Sequence, residues 1–198
     1  MTLFANAADF NNPSSRMAAL GTDFAAQNAI VDPFGKVLAY ARTGGMLSPV
    51  RHELQAGATI YRFGRSNLAA SRVMSGAWWI DREGFEKLVA FANVHSVELP
   101  MAVRALCLLP PEWSDLGMLV RARLRKPLLA WRGLANSVVT RASDGLGNVR
   151  LDQFNDISAR RLYQLYIPGL DGRGGDSLAV ERTCAFSKDA GMKGWLYL

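Results

Sequence analysis

The chain is short of the residues that most often announce chemistry. Across 198 residues it has two cysteines and two histidines. Cys107, Cys184, His52 and His95 do not fall at zinc-binding spacings, so no metal site is expected. The cysteines lie far apart, each in an apolar run, and read as buried free thiols in a reducing, cytoplasmic setting. No apolar run reaches the ~18 residues that a membrane helix needs. The opening MTLFANAADFNNPSSR has no basic region ahead of a long apolar core, so no secretory leader is expected. No serine occupies a Gly-x-Ser-x-Gly elbow. Leu170–Ser177 is rich in glycine and reads as the most flexible segment, but it lacks the Gly-Lys-Ser/Thr of a phosphate-cradling loop. Lysine is scarce too, at 5 of the 23 basic residues, the other 18 being arginine.

What is present suits one folded domain. An apolar fraction of 49% and a charged fraction of 20% are ordinary for a globular chain with a sizeable core. The reading is a single domain over 1–198, with a helical and loop segment at 1–52 leading into an α+β core at 53–198. The net charge is +6. Arginine forks onto phosphate and carboxylate better than lysine does, so an anionic partner is a natural reading, either an acidic protein target or nucleic acid. The plain alternative is a charge that serves solubility.

Along the chain, Asn12-Pro13 starts a helix that the composition carries to about Ala29. Asp32-Pro33 marks a turn before a short element ending near Tyr40. Gly44-Gly45 and Ser48-Pro49 read as a mobile loop. Thr59–Phe63 and Ala77–Ile80 are predicted strands. Asp81 caps a helix whose Phe85, Leu88, Val89 and Ala92 share one face. Pro100 opens another, with Ala102, Val103 and Leu106 as its stripe. In Leu119–Arg125 the apolar Val120, Ala122 and Leu124 alternate with Arg121, Arg123 and Arg125, a strand with one basic side. Leu128–Trp131 continues as a strand or a bend after Pro127, closing at Gly133, and a loop over 136–148 follows. Arg161–Pro168, Glu181–Phe186 and Gly194–Leu198 are the closing strands. About six strands and three or four helices, without βαβ alternation, give an α+β fold with a mixed or antiparallel sheet.

Thr59–Asp81 is the stretch that looks built around a ligand. Arg62 stands inside the apolar run Ile60-Tyr61-Arg62-Phe63, and burying it is costly unless an anion meets it. The run Ser75-Gly76-Ala77-Trp78-Trp79-Ile80-Asp81 follows, and Gln164-Leu165-Tyr166-Ile167-Pro168 comes much later. In this order the three segments resemble the motifs of the ADP-ribosyltransferase superfamily, the NAD-consuming toxins and relatives of poly-ADP-ribose polymerase. The similarity spans about residues 59–168. It implies that Tyr61 and Arg62 hold NAD, that Trp78 and Trp79 flank its rings, and that Ser75 and Gln164 stand at the catalytic positions. An arginine fork suits a pyrophosphate, and aromatic rings suit a flat nicotinamide.

The chain departs from that family where a glutamate is expected and Gln164 stands. An amide brings no charge to a developing oxocarbenium, and losing one such group costs ~3 kcal/mol of barrier. A substitute carboxylate would have to come from another acid, Glu181 or Asp152. The resemblance therefore implies an ADP-ribosyltransferase-like protein acting on a macromolecular target, with weak or lost NAD-dependent activity. The competing reading is a non-catalytic basic protein that inhibits a partner such as an NTPase or a DNA-handling machine. The plain readings of the same residues are an arginine paired at a surface, a Trp-Trp pair with one ring on each side of a sheet, and an ordinary strand glutamine.

Overall fold

The computed structural model describes residues 3–21, 29–40, 44–141, 148–152, 161–171 and 174–187. In chain order these form α1 (Ala7–Asn11), α2 (Pro13–Ala19), β1 (Ala29–Val31), β2 (Val37–Tyr40), β3 (Met46–Leu54), β4 (Thr59–Gly64), α3 (Ala70–Met74), β5 (Trp78–Asp81), α4 (Arg82–His95) and α5 (Leu99–Cys107). Then come β6 (Met118–Leu124), β7 (Leu128–Ala135), β8 (Val138–Arg141), β9 (Asn148–Leu151), β10 (Tyr163–Tyr166), α6 (Gly174–Ser177) and β11 (Leu178–Ala185). The fold is α+β. Its centre is a seven-stranded sheet in the order β11-β6-β4-β5-β10-β7-β3, with every pairing antiparallel.

Strand alternation gives the sheet two apolar faces. Ile60, Trp79, Val120, Ala122, Ala130 and Leu165 fill one, under α3. Ile80 and Leu162 fill the other, under Leu88 of α4 and Ala102, Val103 and Leu106 of α5. The expected α5 stripe is thus buried as read. On α4 Leu88 and Ala92 are buried, Phe85 is half-buried, and Val89 lies at the rim, 37% exposed. Asp81 caps α4 as expected, its Oδ1 accepting from the Gly84 amide at 2.7 Å.

Several expectations change. Ser48-Pro49 is not a loop but part of β3, which also runs across the residue 52 division. A proline fits there because β3 is the outermost strand, and its pairing with β7 slips between Leu47 and Val50. The loop expected at 136–148 contains β8 and the start of β9, an antiparallel pair in which Val138-Val139-Thr140 supplies β-branched residues. Helix α2 ends at Ala19, earlier than the expected Ala29, and 22–28 lie outside the described residues. So does the closing strand expected at 194–198. Of the flexible segment at 170–177, its last four residues form α6.

Cys107 is buried, but Cys184 is exposed, because it sits on the edge strand β11. The segment before residue 53 is stitched to the core rather than appended to it. The buried Asn6 amide donates to the carbonyls of Leu129 and Pro168, and its oxygen accepts from the Leu129 amide.

Candidate functional site

Strands β4 and β5 pair at Ile60–Asp81 and Tyr61–Ile80, and the ladder stops there. Beyond that point the Arg62 side chain does the bridging: its Nη1 donates to the Trp78 carbonyl at 2.5 Å. A cleft of about 960 Å3 opens beside this join and takes walls from both sides of the sheet, Arg62 and Val73 from one and Val103 and Gln164 from the other.

Arg62 is the most distinctive group in the cleft. Its Nε is buried and has no hydrogen-bond partner among the described residues. Burial pushes the guanidinium down to about 10, well below its ordinary value, against the opposing pull of Asp171. Gly76 leaves room for it, since a Cβ on Gly76 would fall 1.9 Å from Arg62 Nη2. Trp78 lines the cleft from the opposite face of the sheet, half-buried and edge-on to Tyr166 at 5.2 Å.

The other residues expected at the site have partners of their own, and Tyr61 and Trp79 also line the cleft. Tyr61 is buried, its ring stacked on Phe85 at 3.9 Å. Trp79 is a core residue, 1% exposed, whose indole N–H donates to the Gly76 carbonyl at 2.7 Å. The two tryptophans therefore face opposite sides of the sheet, as adjacent strand residues must. Ser75 does not line the cleft, and its hydroxyl donates to the Arg72 carbonyl at 2.9 Å. Gln164 lines it but is buried, with Nε2 donating to the Cys107 carbonyl at 3.3 Å.

Register then separates Arg62 from Gln164. Leu165 pairs with Trp79, and Tyr61 pairs with Ile80. Gln164 thus shares a face with Ile80 and Tyr61, while Arg62 shares the other with Ile60 and Trp79. Of Arg62, Ser75 and Gln164, which the family resemblance brings together, Arg62 and Gln164 both line the cleft, from opposite faces of the sheet, and Ser75 does not. The substitute acids are elsewhere as well. Glu181 pairs with Arg121 at 2.9 Å and with Arg123, and Asp152 pairs with Arg150 at 2.7 Å.

The comparison with family models gives no match, and neither does the comparison with curated proteins. One solved structure, "Rhs1-CT in complex with cognate immunity protein RhsI1", is similar at 10% identity and a TM-score of 0.40, over 71% of this chain and 83% of that one. A likeness that distant carries nothing about activity or partner, so the chemistry rests on the cleft.

Residues that the sequence reading passed over complete that cleft. Arg65 and Arg72 join Arg62 in lining it, with Glu112 as an acid and Asn136 and Thr140 as neutral polar groups. Trp113 adds a half-exposed indole. Arg65 and Arg72 lay within the stretch already singled out, and the pattern of three arginines in eleven positions was the available signal. Trp113 follows Pro110-Pro111, which reads only as a helix stop, so nothing local marks it.

No helix among the described residues is long and apolar enough to cross a membrane.

Proposed function

We propose that the cleft binds a flat anionic ligand of the dinucleotide class, NAD among them, and that the chain is an ADP-ribosyltransferase-like binder with weak or lost turnover. The observation that carries this reading is Arg62, a guanidinium enclosed in a cleft wall with Nε unsatisfied among the described residues. A buried charge without a full set of partners costs several kcal/mol, and an incoming phosphate oxygen would offset that cost with a charge-assisted bond. Trp78, which lines the cleft from the other face of the sheet, suits a flat ring.

Turnover needs more than binding. Breaking the nicotinamide–ribose bond develops positive charge on the ribose, and a preorganised carboxylate must face it. At the corresponding position Gln164 offers an amide whose N–H2 is engaged by Cys107 and which lies across the sheet from Arg62. These features favour a binder over a working catalyst.

The test is calorimetry with NAD, run beside an assay for released nicotinamide. Binding that disappears in Arg62→Ala, with little or no nicotinamide released, supports the proposal. Absence of NAD binding to the wild type sinks it, and efficient nicotinamide release overturns the binder half.

A further inference from the structure

Trp113 stands apart from the other aromatic residues of the cleft. Tyr61 stacks on Phe85, Phe63 on Phe186, and Trp78 meets Tyr166 edge-on. Trp79 has its N–H on a backbone carbonyl in the core. Among the described residues Trp113 has no ring partner, yet it lines the cleft and is 41% exposed.

A half-exposed indole is usually left loose, but this one is fixed through its backbone. The turn closes locally, with the Trp113 amide donating to the Pro110 carbonyl at 3.1 Å. Buried Arg104 holds the loop from beneath, Nη1 donating to the Leu109 carbonyl at 3.2 Å and Nη2 to the Ser114 carbonyl at 2.6 Å. Arg65, itself a cleft residue, donates to the Trp113 carbonyl at 3.2 Å. Asp115 ties the far end down by accepting from the Ser66 amide at 2.9 Å. The ring rests against Gly44, where a Cβ would come within 2.7 Å of Cη2. Thus the backbone that carries this large flat surface is anchored at the cleft, which lowers the ordering cost when a ligand arrives.

We propose that Trp113 is the ring platform of the cleft: it stacks on a heteroaromatic ring of the ligand while Arg62 takes the anionic group. This rests on the cleft being a ligand site, and it assigns the ring and the anion to separate parts of one ligand.

Two probes separate the two claims. ADP carries a ring and a diphosphate, and inorganic pyrophosphate carries the anion alone. Both are titrated calorimetrically into wild type, Trp113→Ala and Trp113→Phe, with folding checked by circular dichroism. Wild type is expected to bind ADP more tightly than pyrophosphate. Trp113→Ala should weaken ADP by roughly tenfold, the scale of one ring stacked on an aromatic side chain, and leave pyrophosphate unchanged. Trp113→Phe should recover most of the loss. The platform is refuted if wild type binds ADP no better than pyrophosphate, if Trp113→Ala leaves ADP unchanged, or if it weakens both probes equally. If neither probe binds wild type, the cleft reading itself falls, and the platform with it.

Discussion

The α-carbon of Gly76 faces the guanidinium of Arg62 so closely that a single added methyl would fall 1.9 Å from Nη2 and 2.2 Å from Cζ. The obstacle is the far end of a flexible side chain, so Gly76→Ala should turn the arginine out rather than break the fold. The bond from Nη1 to the Trp78 carbonyl goes with it, a charge-assisted bond worth about 1.5–3 kcal/mol. Turning the charge out also relieves its burial, so we expect a melting temperature at or near that of the wild type but a loss of pyrophosphate or NAD binding as large as that of Arg62→Ala. Calorimetry beside thermal melts reads both.

Holding Arg62 charged is costly to the fold. At about 1.4 kcal/mol per pH unit, lowering the guanidinium from 12.5 to about 10 amounts to roughly 3 kcal/mol at neutral pH. The lost bond to Trp78 is worth no more than that. Arg62→Met is accordingly expected to melt at or above the wild-type temperature while losing anion binding. A variant that melts well below wild type would mean that Arg62 is a structural brace.

The same depression gives a pH signature. The free protein should lose anion affinity as pH rises through about 10, well before an ordinary arginine would discharge. The folded state sheds this proton first, so the group's contribution to stability rises between that point and 12.5. Pyrophosphate titrations from pH 8 to 10.5, compared with a lysine- and arginine-rich control protein, would expose the early fall.

Gln164→Glu is the substitution that would restore a transferase's missing charge. In this cleft it removes the donor to the Cys107 carbonyl and places a carboxylate in a buried site. The expected result is a destabilisation of about 1–3 kcal/mol with no gain in nicotinamide release, measured by denaturant melts and product assay. A rise in nicotinamide release would restore the transferase reading.

The basic side of β6 is partly spent within the chain. Glu181 is the extra residue where the pairing of β11 with β6 slips between Val180 and Arg182, and its carboxylate holds both Arg121 and Arg123. Those arginines keep the carboxyl of Glu181 below the usual range. Glu181→Ala should strengthen retention on an anionic resin such as heparin and leave the melting temperature nearly unchanged. Charge reversal of Arg121, Arg123 and Arg125 together should abolish any complex that uses the stripe. An unchanged complex makes it a solubility feature.

Local patterns told the truth about local structure. The β4 run, the Asp81 cap, the α5 stripe and the alternation of Val120, Ala122 and Leu124 are each set by neighbours within a few positions, and all were legible. The relation between Arg62 and Gln164 was not, because it depends on how β10 registers with β5 across more than eighty intervening residues. Each strand alone is compatible with either face, and slipping by one residue exchanges them. The same distance hid Trp113, whose importance comes from Arg104, Arg65 and Gly44, none of which is its sequence neighbour. Cys184 looked like a core thiol because an edge strand and a central strand share one composition.

Both outer strands of the seven-stranded sheet carry an irregularity, β3 around Ser48-Pro49 and β11 at Glu181. A regular, flat edge is a template on which a second chain can add strand after strand. Here one border lacks an amide at Pro49, and the other is bent where its acidic side chain turns toward the arginines. The sheet is thus capped against growth at both margins, and concentrated solutions of this protein should resist the edge-to-edge polymerisation that long antiparallel sheets invite.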